Sequence, residues 1–370
     1  MKIKTLTTYD VYNYGASLQA YALMTYLSNL GNEVEIINYQ PSYLTRKYDY
    51  KWVNPESSMS RYAITRVIYR ILKFVQRQTT MGRKRAFDQF TREWLRTTIC
   101  RYSSFEDLNT NPPKADLYLA GSDQIWNVFY EAGRDPTFYL EFVQQGKRAS
   151  YAASFSYLDI DEANMRRISN SLHKFTAISV RERQGLEILS QMGLNGTWVL
   201  DPVFLLPVDE WERLDNIKIP SDKYLLVYDF ERNSALQDFA RTYARRKGLK
   251  IYSINDTYPL HYADRNFNSA GPREFVGLIR HCAAFVSNSF HGTAFSILFH
   301  KPVFVFSRRR HKVNSRMESL LGLFELGDCL INSPESAEKA MWREFDYDMI
   351  ENIKKRELVR SMDFLEKLMS

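Results

Sequence analysis

The sequence predicts an α/β protein built from two Rossmann-like halves with a cleft between them. Three observations carry that expectation. The chain opens with strand, helix and strand within about 37 residues, a βαβ unit whose strands run parallel with a right-handed crossover. A second series of alternating strands and helices fills the C-terminal half. Between the two series, Pro202, Pro207 and the break at Pro220 interrupt the pattern and place a hinge across residues 202–222.

The elements follow in order. Residues 3–8 read as a strand, 9–16 as a polar loop, 17–30 as a helix and 33–39 as a second strand. In the helix, Leu18, Ala22, Tyr26 and Leu30 recur at spacing four, Leu23 and Leu27 lie beside them, and Gly31 stops it. The turn holds a single glycine, Gly15, where a dinucleotide fingerprint needs three, and the second strand ends in Asn38 and Tyr39 with no acid for a ribose. Further strands are expected at 116–120, 149–153, 176–180 and 197–200, with helices at 161–174 and 182–192. The C-terminal half adds strands at 224–228, 250–254, 283–287 and 302–306, and helices at 234–247, 273–281 and 293–299. The expected domains are 1–205, 206–345 and a C-terminal helix over 346–370. Ligands of such sheets bind beyond the carboxyl ends of the strands.

Composition excludes several classes. A chain of 370 residues suits two domains, and 45% hydrophobic with 25% charged residues excludes wholesale disorder. No apolar run approaches the roughly 18 residues of a membrane span. The first residues are too polar for a signal-peptide core, which predicts a cytoplasmic protein. Cys100, Cys282 and Cys329 form no CxxC pair, which argues against a disulfide framework and a cysteine zinc site.

The net charge of +7 is uneven. Residues 61–96 hold ten Lys and Arg against Asp88 and Glu93, so the rest of the chain is near neutral. A nucleic-acid protein would more often be basic throughout or along one groove, so no nucleic-acid partner is expected. Within this segment Ile64, Val67, Ile68, Ile71, Leu72 and Val75 fall on one helical face, and Arg66, Arg70, Lys73 and Arg77 on the other. Two readings stand side by side: a basic amphipathic helix on the anionic inner membrane face, or a core-packed helix with a solvated basic face.

The richest stretch for chemistry is 286–295, VSNSFHGTAF, in which a strand end and a Ser/Asn turn lead into a helix start carrying His291. Free amides and the helix dipole favour an anion there. After the next strand, residues 308–316 hold Arg308, Arg309, Arg310, Lys312 and Arg316, cations suited to a multiply charged anion or to solvent. Arg181 ends a strand of the other half, where it could face the cleft or pair with Glu182.

Asn13-Tyr14-Gly15 with Leu18-Gln19, the run Gly121 to Asn127 (GSDQIWN), Tyr151 to Ser154, Ser179 to Glu182, Asp201-Pro202, Ser289 to Thr293 and the 312–316 stretch stand in a specific order and spacing. Through them the chain resembles the polysaccharide pyruvyl transferase family over most of its length. The resemblance implies a GT-B-type arrangement of two Rossmann-like domains. It also implies transfer of the enolpyruvyl group of phosphoenolpyruvate onto two saccharide hydroxyls as a cyclic ketal, in surface or capsular polysaccharide synthesis.

It puts the catalytic histidine at His291 and donor-binding cations at Arg181 and Lys312. Substrate contacts are implied at Asn13, Gly15, Asp123, Gln124, Ser289 and Gly292. Phe290 stands where some members carry a cation, so Arg308 or Arg316 is expected to supply it. No cofactor or metal is implied; phosphoenolpyruvate is a co-substrate, and the acceptor could be polyprenyl-linked. The chemistry suits these residue types, because a phosphate and a carboxylate need cationic partners and the ketal needs proton transfers of the kind histidine performs.

Two rivals remain. A nucleotide-sugar glycosyltransferase would share the architecture, with Glu318 or Glu325 as a ribose acid. A non-catalytic saccharide-binding protein would suit the 24 Tyr and six Trp but not the clustered cations. Asp159-Ile160-Asp161 has the form of a metal-binding DxD, but acids at a helix start are more often caps. A nucleophilic hydrolase is disfavoured: no GxSxG elbow is present and Cys282 has only His281 beside it.

Overall fold

A computed structural model describes residues 1–49, 51–54, 57–156, 160–218, 221–255, 259–308 and 314–370, with the side chains of 45, 47, 75 and 76 excepted. The N-terminal sheet is parallel, in the order β3-β2-β1-β4-β5, from β1 (Lys2–Leu6), β2 (Glu33–Tyr39), β3 (Thr97–Tyr102), β4 (Leu117–Ala120) and β5 (Lys147–Ser150). The short pair β6 (Ser179–Val180) and β7 (Thr197–Trp198) follows, joined to the β5 region by the bridges Ala149 to Ala177 and Ala153 to Val180. The C-terminal sheet, also parallel, runs β10-β9-β8-β11-β12-β13. Its strands are β8 (Tyr224–Tyr228), β9 (Lys250–Ser253), β10 (Arg265–Asn266), β11 (Ala284–Ser287), β12 (Val303–Phe306) and β13 (Leu330–Ile331).

Each sheet reverses its winding at one point, between β1 and β4 in the first and between β8 and β11 in the second. Crevices open at such points beyond the strand ends. Strands buried along their length, such as β4, β8 and β12, are continuous apolar runs because helices cover both faces.

The first helix (Tyr14–Asn29) begins three residues earlier than its apolar spacing suggests, because the Asn13 side chain caps it by accepting from the Ala16 amide at 3.3 Å. It is apolar almost all round and accordingly buried, packing on the helices Pro272–His281 and Phe290–Leu298 of the other half. Tyr14 stacks on Phe275 with centroids 4.4 Å apart, and its hydroxyl donates to the Ala270 carbonyl at 2.9 Å. The C-terminal helix (Tyr347–Met369) returns to the first half, where the Ser361 hydroxyl accepts from the Leu200 amide at 2.9 Å.

The 61–96 segment forms two helices, Ala63–Thr79 and Met81–Trp94, and corrects both the core-packed reading and the solvated placement of Arg77. The apolar residues of the first helix, Ile64, Val67, Ile68, Ile71 and Leu72, are exposed, whereas Arg77 is buried. Arg83 is also buried, stacked over Tyr14 and Phe87 and donating to the Tyr12 carbonyl. Lys84 pairs with Asp88. Arg77 and Arg83 are therefore buried, whereas Arg66 and Arg70 on the first helix and Arg85 and Arg92 on the second stay exposed.

Candidate active site

The two crevices meet in a cavity of 440 Å³. Its N-terminal wall comes from the loops after β1 and β4, including Thr8, Asn13, Asp123 and Gln124, together with Tyr130. Its C-terminal wall comes from the loops after β8, β11 and β12: Phe230, Asn288, Ser289, Phe290, His291, Arg308 and Arg316. Sequence positions scattered over 300 residues thus converge because every one follows the carboxyl end of a parallel strand.

His291 sits in the first turn of the helix Phe290–Leu298, which starts earlier than the expected residue 293. Ser289 is its cap, the hydroxyl accepting from the Gly292 amide at 3.2 Å. Across the cleft the imidazole lies directly on Gly15: a Cβ there would stand 1.9 Å from His291 Nδ1, so any side chain at this position requires the imidazole to move. Gly292 serves packing instead, because a Cβ would fall 2.6 Å from the Phe285 ring.

His291 Nε2 is 3.3 Å from an Asp201 carboxylate oxygen, Oδ2, and 3.5 Å from an Arg181 guanidinium nitrogen. Arg181 pairs with Asp201 at 2.8 Å and with Asp123 at 3.4 Å, and its side chain is only 1% exposed. Glu182, the neighbour expected to compete for Arg181, instead accepts from the Phe155 and Ser156 amides and the Ser154 hydroxyl. Burial works to raise the Asp201 carboxyl, but His291 and Arg181 beside it hold it well below the usual carboxylate range. Its other oxygen caps the turn Pro202–Phe204 through the Val203 amide at 3.1 Å, and the Ser122 hydroxyl donates to Oδ2 at 3.3 Å.

Asp123 is held at φ 74°, a left-handed conformation uncommon outside glycine and frequent where a side chain must be aimed at a site. The preceding loop is fixed by Gln19, which accepts from the Ser122 amide at 3.1 Å and donates to Thr7 at 2.8 Å. This explains the Leu18-Gln19 motif: Gln19 joins the loops after β1 and β4 without touching the cavity.

On the opposite wall Arg316 is buried and forms no ion pair among the described residues; its Nε has no acceptor. Burial, and next the nearby charge of Arg181, push its guanidinium down to about 10. Arg181 and Arg316 both lie over the Phe290 ring, at 4.3 and 5.6 Å from its centre. Arg308 donates to Glu231 at 3.3 Å and lies 5.3 Å from the Phe230 ring centre. Lys312, Arg309 and Arg310 lie outside the described residues.

A sequence profile for polysaccharide pyruvyl transferase matches residues 13–310. The chain belongs to the polysaccharide pyruvyl transferase family. No curated protein sequence matches it. Among solved structures, the UDP-GlcNAc 2-epimerase of Methanocaldococcus jannaschii superposes with a TM-score of 0.51 at 10% identity, covering 98% of this chain and 100% of that one. The UDP-N-acetylglucosamine 2-epimerase of Rickettsia bellii gives 0.48 at 11% identity, with coverages of 98% and 96%. The spinosyn forosaminyltransferase SpnP gives 0.46 at 14% identity, with coverages of 100% and 99%. The pyruvyl transferase chain therefore has a GT-B fold of two Rossmann-like halves, and the family assigns it to transferases of polysaccharide biosynthesis.

In this pyruvyl transferase fold, Asn13, Asp123, Gln124, Ser289, His291, Arg308 and Arg316 line one cavity, with Arg181 and Gly15 behind the histidine. Sequence reasoning named Asp201 only as part of a motif and assigned it no part in the site. An acid three residues beyond β7 could have suggested one, but its two partners come from 20 and 90 positions away. The acids Glu318 and Glu325, considered for a ribose, are exposed and neither lines this cavity. Asp161 caps the helix Glu162–Leu172, accepting from the Asn164 amide at 2.9 Å; Asp159 lies outside the described residues. Cys282 is buried, its thiol is pushed up to about 12 by burial, and His281 is engaged by Asp215 at 2.8 Å, an arrangement without an activated nucleophile. A larger cavity of 640 Å³ lies between the helices Ser234–Lys247 and Pro334–Met341, and of the predicted site residues that are described only Arg308 reaches it.

Proposed function

We propose that the cavity carries out phosphoenolpyruvate-dependent ketal formation on a saccharide, with Arg316 as the principal donor-binding cation and His291 as the group that moves protons. The observation that supports this most is Arg316 itself. A buried guanidinium with no carboxylate in ion-pair reach among the described residues is costly, and an anionic ligand supplies the direct partner. The donor offers a phosphate and a carboxylate, both of the planar or multidentate kind that guanidinium groups bind well. Arg308 stands on the same wall as a second cation, and Lys312 is assigned to the donor by family resemblance alone.

Arg181 takes a different part in this proposal from that expected of it. Two carboxylates already neutralise it, so it holds Asp201, and Asp201 in turn holds His291. When the imidazole carries a proton, the Asp201 carboxylate compensates the charge. The reaction then balances as follows. One saccharide hydroxyl adds to C2 of the donor as C3 takes up a proton to become a methyl group. The C2–O bond to phosphate breaks, the second hydroxyl closes the ketal, and its proton leaves with phosphate. His291 is positioned to exchange protons with the donor's methylene carbon or an attacking hydroxyl. Tyr130 and Phe230, aromatic and partly exposed at the cavity, suit the apolar faces of a sugar ring.

Thermal-shift measurements with phosphoenolpyruvate and with a panel of UDP-sugars test the reading, because a ligand of the native state raises the melting temperature by mass action. Phosphoenolpyruvate should raise it and UDP-sugars should not; the reverse outcome would move the chain to the nucleotide-sugar reading.

A further inference from the structure

We propose that the helix Ala63–Thr79 docks the protein on an anionic lipid bilayer, lying in the plane of the headgroups with its apolar face inward. This inference is independent of the donor and of the chemistry in the cleft. The helix projects from the N-terminal half, its main contacts being the turn Ser58–Ser60 and the helix Met81–Trp94. Its described aliphatic side chains therefore face solvent: Ile64 is 76% exposed and Leu72 59%, and Val67, Ile68 and Ile71 are exposed as well. At 3.6 residues per turn these side chains fall on one side, extended at the helix start by exposed Tyr62. An apolar stripe of this length, rimmed by polar groups, is an interaction surface.

Charge decides the partner. Arg66, Arg70 and Lys73 occupy the opposite side, and the 17 residues contain no Asp or Glu. Arg66 and Arg70 are exposed, and the Lys73 stem lies along Tyr69, its ammonium 5.8 Å from the ring centre. Arg77 points into the protein, so three cations rather than four serve the surface. A second copy of the chain would bring like charge to like charge, whereas an anionic leaflet matches both faces: acyl chains for the stripe and headgroups for the cations. No described helix is long and apolar enough to cross a membrane, and this one, about 26 Å long with cations along one side, suits the interface plane.

Co-sedimentation of the full chain with vesicles of phosphatidylglycerol and phosphatidylcholine, against phosphatidylcholine alone, tests the proposal. Binding is expected to the anionic vesicles at low salt and to fall steeply in 1 M salt, where charges are screened beyond about 3 Å. Changing Arg66, Arg70 and Lys73 together to Gln should weaken it roughly 100-fold, at about fivefold per cation. Ile68→Asp with Ile71→Asp should abolish it while leaving the melting temperature unchanged, because both side chains already face solvent. Wild-type protein that ignores anionic vesicles, or binding that survives both sets of changes, would overturn the proposal. So would a self-associated chain that ignores vesicles and becomes monomeric on Ile71→Asp, which would make the stripe a contact between copies.

Discussion

The two walls of the cleft each bury an arginine, and they treat it in opposite ways. Arg181, on the N-terminal wall, is held by Asp201 and Asp123 and closed off from solvent. Arg316, on the C-terminal wall, is equally buried but meets a phenyl ring and, among the described residues, no carboxylate within ion-pair distance; Asp123 and Glu182 act on it only from farther off. The first is part of the scaffold that aims His291; the second is a charge left for a ligand. Burial by itself does not separate a structural cation from a binding one, and the state of its partners does.

The largest effect that could break this comparison is on folding. Arg181→Met leaves the buried Asp201 and the half-buried Asp123 without their cation, and stability should fall by about 3 to 5 kcal/mol. Arg316→Met should leave stability unchanged or raise it, since an uncompensated charge is removed. Urea denaturation of the two variants beside wild type measures the contrast; equal losses would erase the distinction between the walls.

Next in size are the effects on turnover. His291→Ala should lower kcat by roughly 100-fold or more with the fold intact. Gly15→Ala, remote in sequence, should act on the same step by driving the imidazole off its position, since the added methyl would overlap Nδ1. Single-turnover kinetics would show both as a slowed chemical step. A Gly15→Ala enzyme with wild-type kcat would mean that the close apposition of the halves is not needed for catalysis.

The fold was largely legible in the sequence, and its misses have physical causes. The spans 33–39, 224–228 and 234–247 match their elements because apolar runs and periodicity alone define them. The strand Thr97–Tyr102 went unread: it is a sheet edge, with Ile99, Cys100 and Arg101 all exposed, and carries no core-facing alternation. In the basic segment, periodicity assigned the sides of the helix but not which would be covered. Tertiary packing buried Arg77 and Arg83 and left the aliphatic stripe in solvent. At the site, His291 could be read from a strand, turn and helix start in succession. The role of Asp201 depends on partners 20 and 90 positions away, and that of Arg316 on burial by the assembled fold, which no local pattern encodes.

The smallest expected effects are in pH dependence, and they differ in sign between the walls. The Asp201 carboxyl is held below its unfolded value, so its contribution to stability is full above the unfolded value near 4. It is lost as pH falls through the folded value. Asp201→Asn should flatten that acid limb. Arg316 titrates at about 10 in the folded chain and higher when unfolded, so its burial costs stability at neutral pH and stability rises as pH climbs through 10. The advantage of Arg316→Met over wild type should therefore narrow above pH 10, and an advantage that stays constant there would show that burial does not lower the guanidinium.

Calorimetric titration of phosphoenolpyruvate into wild type, His291→Ala and Arg316→Met tests the central claim most directly. Wild type and His291→Ala should bind the donor with affinities within a few-fold of each other. Arg316→Met should lose about 1.5 to 3 kcal/mol, the usual worth of hydrogen bonds to a charged group. Unchanged affinity in the folded Arg316→Met variant would contradict the assignment of that buried cation to the donor.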